Sequence, residues 1–160
     1  MREGHWGALA LLVLATAAAA IAGASGSVQS AAFYLQLSKP SWAPPAQVFG
    51  PVWSVLYILM ALAAWTVVRA WGWPGARPAI ALYVVQLAFN GLWPWLFFRW
   101  RLGGLAYIEI LVLWLLLVLI VTVFFRARRL AGVLMLPYLA WVTFAAALTY
   151  SVWRRNPGEL

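Results

Sequence analysis

Residues 105–125 read LAYIEILVLWLLLVLIVTVFF, an apolar run in which Glu109 is the only charged side chain. About 20 apolar residues are enough to cross the roughly 30 Å hydrocarbon layer of a bilayer as an α-helix. Four further runs of the 160-residue chain have comparable length and composition. We therefore predict spans at about 6–25, 47–69, 79–98, 104–125 and 130–153.

The links after the second, third and fourth spans are short and carry arginine. Arg69 and Arg77 flank the first of these links, and Arg99 and Arg101 lie in the next. Links this short force consecutive helices to be antiparallel neighbours. The sequence thus predicts an all-α membrane protein, a single bundle of five transmembrane helices that occupies residues 1–160 as one domain.

Composition supports this fold class and excludes several kinds of site. The chain is 66% hydrophobic and 9% charged, whereas soluble domains carry roughly 25% charged residues. Cysteine is absent and His5 is the only histidine, which excludes thiolate or histidine metal clusters, so no metal site is predicted. The net charge of +8 comes from basic residues at the ends of apolar runs. That placement is typical of contact with lipid headgroups and does not indicate nucleic acid.

The first run permits two interpretations. Arg2, the apolar stretch and AIAGAS at 20–25 are compatible with a cleaved signal peptide. Ala15, Ala19 and Gly23 recur every four residues, however, which is the small-residue seam of closely packed membrane helices. The orientation stays open, because six basic residues flank one side of the predicted bundle and five the other.

Three predicted spans carry polar and aromatic residues at helical spacing. Such stripes either pack helices together or line a pocket for a flat apolar ligand, and their coincidence on three helices favours the pocket. Glu109 is the only acid within a span, and we expect it to be protonated or hydrogen-bonded to a neighbouring helix. The stripes are Trp53 and Tyr57 in the second span, Gln86, Asn90 and Trp93 in the third, and Tyr138, Trp141, Ala145 and Leu148 in the fifth.

The segment KPSWAPPAQVFGPVW (39–53) joins the first two spans. Its prolines stiffen the backbone and disfavour helix before them. Lys39 and Trp42 are suited to headgroup depth. We define residues 26–46 as the lid segment and predict that it is a loop.

These residues resemble the TspO/MBR family, which comprises bacterial tryptophan-rich sensory proteins and the mitochondrial translocator protein, or peripheral-type benzodiazepine receptor. The similarity covers the second to fifth spans in order, although Leu105 and Thr149 depart from the pattern of many relatives. The matching motifs are W-x-P-P (Trp42, Pro44, Pro45) followed by Phe49, Trp53 and Tyr57, then Q-L-x-x-N-x-x-W-P (86–94), P-Y-L-A-W (137–141) and L-x-Y-x-x-W-R (148–154).

The resemblance implies a five-helix bundle, usually a homodimer, in a bacterial envelope or a mitochondrial outer membrane. It implies a pocket beneath the lid segment that binds porphyrins such as protoporphyrin IX or haem, benzodiazepine-type drugs or sterols, with no covalently bound cofactor. Trp42 would then belong to the lid, and Leu148, Tyr150 and Arg154 would form a sterol motif.

Three functions remain open at this point. The first is a receptor or sensor that binds porphyrins and regulates tetrapyrrole transport or turnover. The second is light- and oxygen-dependent porphyrin breakdown; since the sequence has no acid–base pair, this would run through Trp53 and Trp141. The third is transport through the bundle, which the lack of internal repeats disfavours.

Overall fold

The computed structural model describes the backbone of residues 3–160 and the side chains from Trp6 onward. Arg2, which entered the charge count and the signal-peptide alternative, lies outside the described residues, as does the side chain of His5. The helices are α1 (Glu3–Gly26), α2 (Ser30–Gln36), α3 (Phe49–Pro94), α4 (Gly103–Ala127) and α5 (Arg129–Arg155).

Helix α3 contains two of the predicted spans. Its 46 residues would extend for about 69 Å if straight, twice the thickness of the hydrocarbon layer. The helix breaks at Gly72, whose φ of 69° and ψ of 164° lie in a region that is open essentially to glycine alone. The chain folds back there, so that Tyr57 Oη lies 2.7 Å from Asn90 Oδ1. The first arm (before Gly72) and the second arm (after it) are therefore antiparallel.

In the described part of the chain, α1, α3, α4 and α5 are long and apolar enough to cross a membrane. With α3 counted as two arms, they form five spanning segments. The predicted fold class, an all-α bundle of five transmembrane helices, is confirmed. Pro94 precedes a π-helical turn, Trp95–Arg99, whereas α5 continues through Pro137.

Small residues let α1 pack closely against the second arm of α3. A Cβ added to Gly91 would lie 3.4 Å from the Ala19 carbonyl oxygen, so the two backbones nearly touch, as the small-residue seam predicts. Two hydrogen bonds fix the same interface: Thr16 Oγ1 and Tyr83 Oη lie 2.6 Å apart, and Trp95 Nε1 donates to the Ala22 carbonyl oxygen at 2.8 Å. These contacts make α1 part of the bundle and favour the span interpretation of the first run.

The prediction that the lid segment is entirely a loop is wrong. Residues Ser30–Gln36 form α2, and a 3₁₀ turn follows at Ala46–Val48. The sequence SAAFYLQ contains neither proline nor glycine, and its helix buries Phe33 and Tyr34. Burial of these two rings stabilises a helix too short to persist alone. The prolines keep only the later part of the lid segment non-helical.

Candidate ligand-binding cavity

A cavity of about 460 Å³ lies inside the bundle, on the side of the lid segment. Residues of α1, both arms of α3, α4, α5 and the lid segment line it. Its volume lies within the roughly 300–1,000 Å³ that is typical of small-molecule sites. The cavity is therefore large enough for a flat, drug-sized or larger ligand.

The structure brings most of the predicted ligand-binding residues to this cavity. They come from the three predicted stripes, on the first arm of α3, the second arm of α3 and α5. Those that line the cavity are Trp53, Tyr57, Asn90, Trp93, Trp141, Ala145 and Leu148.

Aromatic rings form the walls through contacts with one another. Trp53 meets Tyr57 at 5.5 Å between ring centroids, and Trp141 meets Phe49 edge-on at 5.9 Å. Trp93 stacks on Phe97 at 5.0 Å with an interplanar angle of 13°. Rings that support one another in this way lose little further freedom when a ligand binds between them.

A chain of hydrogen bonds forms the floor of the cavity. Tyr57 Oη donates to Asn90 Oδ1 at 2.7 Å, and Asn90 Nδ2 donates to Tyr138 Oη at 2.8 Å. Tyr138 Oη in turn donates to Gln86 Oε1 at 3.0 Å. Gln86 and Tyr138 were predicted to bind ligand, but both are fully buried beneath the lining surface. Their position makes them supports of Asn90, and the side-chain amide of Asn90 is already engaged by both tyrosines.

Two buried polar groups have no hydrogen-bond partner among the described residues, the indole Nε1 of Trp93 and both carboxyl oxygens of Glu109. Trp93 lines the cavity, but its Nε1 atom is buried beneath the lining surface, so a ligand reaches this N–H only if the neighbouring side chains move. Glu109 is 5% exposed, and its neighbours Ile110 and Leu113 line the cavity although Glu109 does not. The expected hydrogen bond from Glu109 to a neighbouring helix is not found in the part of the chain that the structure describes.

Hydrogen bonds within the lid segment hold it in one conformation. Lys39 Nζ donates to the carbonyl oxygens of Tyr34 at 2.6 Å and Leu37 at 2.8 Å, which satisfies carbonyls at the end of α2. Tyr34 Oη donates to the Pro44 carbonyl oxygen at 3.0 Å. Burial raises the pKa of the Tyr34 phenol, so Tyr34 remains a donor at neutral pH.

Asn156 ties the lid segment to the end of α5. Its Oδ1 accepts from the Ser38 backbone N–H at 2.8 Å, and its Nδ2 donates to the Ser38 carbonyl oxygen at 2.9 Å. The same Nδ2 also donates to the Val152 carbonyl oxygen at 2.7 Å. This clasp, defined by Asn156 and Ser38, closes the end of the bundle above the cavity.

Trp42 and most of the predicted sterol motif lie away from the cavity. Trp42 is 49% exposed and packs edge-on against Phe144 at 5.8 Å. Leu148 faces the cavity, whereas Tyr150 is 47% exposed on another side of α5. Arg154 lies 5.8 Å from the Trp153 ring. The three residues of the motif therefore do not converge on one internal site.

Sequence reasoning missed several lining residues, including Gly23, Tyr34, Phe49, Phe97 and Ile110. Gly23 belongs to the small-residue seam, so the seam also makes room for the cavity. Phe49 was part of the family motifs and carried a usable signal. Tyr34 and Ile110 had none, because no spacing rule relates them to the aromatic stripes.

Comparison with known proteins agrees with this architecture. The model of the TspO/MBR family matches residues 9–154. The chain belongs to the TspO/MBR family. Protein CrtK of Rhodobacter capsulatus is 42% identical over 154 residues, which is 94% of this chain and 96% of the relative.

Two further relatives extend the similarity to differently named proteins. The tryptophan-rich sensory protein of Cereibacter sphaeroides is 40% identical and covers 78% of this chain and 77% of its own length. The human translocator protein is 38% identical and covers 79% of this chain and 76% of its own length. This TspO/MBR protein is thus a multi-pass integral membrane protein from a family of sensory and translocator proteins.

Proposed function

We propose that this protein is a membrane receptor or sensor that binds a porphyrin, such as protoporphyrin IX or haem, within the cavity and thereby regulates tetrapyrrole transport or turnover. One observation carries the proposal. A cavity of about 460 Å³ has walls of mutually packed aromatic rings, among them the indoles of Trp53, Trp93 and Trp141. Flat walls stack on a macrocycle, and an indole N–H that reaches the cavity surface donates to a polar substituent at its edge.

Benzodiazepine-type drugs and sterols fit the same description of a flat, mainly apolar ligand with few polar groups. A porphyrin macrocycle would contact more of the aromatic wall than a drug or a sterol of this kind, which favours the porphyrin. Because the Asn90 amide is occupied by Tyr57 and Tyr138, we assign polar recognition of the ligand to the wall indoles of Trp53 and Trp141. The homodimer implied by the resemblance remains a prediction.

Titration of protoporphyrin IX into the protein in lipid nanodiscs tests the proposal. We expect saturable quenching of tryptophan fluorescence together with a shift of the porphyrin absorption band. Trp141→Phe removes part of the wall and weakens binding by about 1–2 kcal/mol, or roughly tenfold in Kd. Trp53→Phe keeps a ring on the cavity wall but loses its indole N–H, and we expect a loss of similar size.

Trp71→Phe is the matched control, because Trp71 adjoins the fold-back at Gly72, at the end of the bundle opposite the cavity. This variant should bind as the unmodified protein does. The absorption shift, which does not depend on the number of tryptophans, decides between the variants. Non-saturable quenching, or equal Kd values for all three variants, would show that the porphyrin does not bind in the cavity.

The positions of Trp53 and Trp141 on the cavity wall favour one second candidate, light-dependent oxidation of the bound porphyrin. Dioxygen would be the oxidant and the macrocycle the group oxidised. Illumination of the complex in air should then give a product spectrum that free porphyrin does not give and that Trp141→Phe diminishes. Equal product formation with free porphyrin would leave the protein as a binder only.

A further inference from the structure

A second hollow lies on the outside of the bundle, between the first arm of α3 and α5. We call it the outer groove; its volume is about 560 Å³. All its lining residues are apolar, and they include Pro51, Val55, Pro137, Ala140, Trp141 and Phe144. Both helices cross the membrane, so the hydrocarbon layer borders this groove.

Trp141 lines both the outer groove and the cavity. Among the described residues, Trp141 is the one that borders both spaces. Ring contacts hold its side chain, at 5.4 Å between centroids to Phe144 and 5.9 Å to Phe49. A change of rotamer at Trp141 would break these ring contacts without breaking a hydrogen bond that the structure shows.

The other side of the cavity is closed more firmly. Displacement of the lid segment would break both hydrogen bonds between Asn156 and Ser38. The hydrogen bonds from Tyr34 to Pro44 and from Lys39 to the end of α2 lie within the lid segment, so they keep it one unit that must move as a whole. The structure thus opposes opening at the lid with hydrogen bonds to the end of α5, and opening at the outer groove with apolar packing around Trp141.

We propose that the ligand reaches the cavity sideways from the bilayer through the outer groove, and that Trp141 is the gate. The proposal rests on the proposed function, because it concerns the same cavity. The flat macrocycle of a porphyrin partitions into hydrocarbon while its propionate groups stay near the headgroups, and the groove offers the macrocycle an apolar surface with no polar group to desolvate. Pro137 gives α5 no backbone N–H, which makes the helix easier to bend beside the gate.

Rate measurements test the route separately from the site. Protoporphyrin IX is mixed with the protein in nanodiscs for association, and the complex is mixed with excess empty nanodiscs for dissociation. Ala140 lines the groove but not the cavity, so Ala140→Phe obstructs the route without touching the site. We expect both rates to fall about tenfold, with Kd unchanged to within about twofold.

Ala147→Phe is the matched control, because Ala147 is also an exposed alanine of α5 and does not line the groove. It should leave both rates unchanged. Phe144→Ala removes a ring that supports the gate from the groove side and should accelerate both rates. Asn156→Ala loosens the clasp of the lid segment and should leave both rates unchanged if the route is lateral.

The proposal is overturned if Asn156→Ala accelerates exchange while Ala140→Phe and Phe144→Ala have no effect, because the ligand then passes the lid segment. It is also overturned if Ala140→Phe and Ala147→Phe slow exchange equally. Absence of binding by the unmodified protein would refute the proposed function and the route together. Binding with groove-insensitive rates would refute the route alone.

Discussion

The two arms of α3 meet differently at their two ends. Near Gly72 the residues between helices are small, and Ala63, Ala64, Val67 and Ala76 are all 0% exposed within one continuous core. Toward the lid segment, the same arms carry Trp53, Tyr57 and Trp93, and a cavity of about 460 Å³ lies between them. We call these the closed half and the open half of the bundle.

This difference shows how one bundle combines rigidity with room for a ligand. Small residues allow backbones to approach and leave no space. Large rings at the other end hold the helices apart. These rings pack against one another along the walls and leave the centre of the bundle unfilled. The hydrogen bonds among Tyr57, Asn90, Tyr138 and Gln86 lie where the two packing modes meet.

The largest expected effect on stability comes from replacing one alanine by leucine in each half of the bundle. Ala64→Leu overpacks the closed half and should lower the free energy of unfolding by about 1–3 kcal/mol. Ala145→Leu points into the cavity and should leave stability nearly unchanged while weakening porphyrin binding. Unfolding by SDS titration in mixed micelles measures the first effect and the porphyrin absorption shift the second. Equal destabilisation by both changes would contradict the division into halves.

The second prediction concerns the boundary between the halves. Tyr138→Phe removes the hydroxyl that accepts from Asn90 and donates to Gln86. We expect a loss of about 1–2 kcal/mol in the same unfolding assay, because two buried amide groups lose a partner within the membrane. Tyr107→Phe is the control, since the Tyr107 ring packs on Tyr150 at the surface of the bundle. If the two variants are equally stable, the network does not hold the halves together.

The third prediction concerns the clasp that holds the lid segment over the open half. Asn156→Ala breaks the clasp and should cost about 1 kcal/mol, since these bonds lie near water. Asn156→Asp keeps the acceptor for the Ser38 N–H but loses both donors, so it should be intermediate. Hydrogen exchange at the Ser38 amide gives the local readout and should accelerate most in Asn156→Ala. Unchanged exchange in that variant would show that other contacts close the lid segment.

The smallest expected effect is a gain in stability on substitution of Glu109. Its carboxyl group is buried without a partner among the described residues, so Glu109→Met should raise stability by about 0.5–1 kcal/mol, near the low end of the cost of an unsatisfied buried group. Glu109→Gln retains a polar group and should give no gain. A loss of stability in Glu109→Met would instead indicate that a bound ligand or lipid satisfies the carboxyl group.

Much of the fold was predictable because the membrane constrains it strongly. A run such as residues 105–125 can hardly be anything but a spanning helix, since backbone groups in hydrocarbon must be satisfied within the segment. The stripes of Trp53, Asn90 and Trp141 were predictable from helical spacing and do meet at one cavity. Helix α2 was missed because Phe33 and Tyr34 stabilise it through tertiary burial, which local propensity does not report.

The amino-acid sequence by itself determined the five spans, the short link between the second and third of them and the faces that carry aromatic residues, because hydropathy and helical periodicity are local properties. Only the tertiary structure decided which of those residues reach the cavity. Gln86 and Tyr138 share faces with lining residues yet lie beneath them. Trp141 lines both the cavity and the outer groove. These outcomes depend on the depth and rotation of one helix against another, which packing across the whole bundle sets.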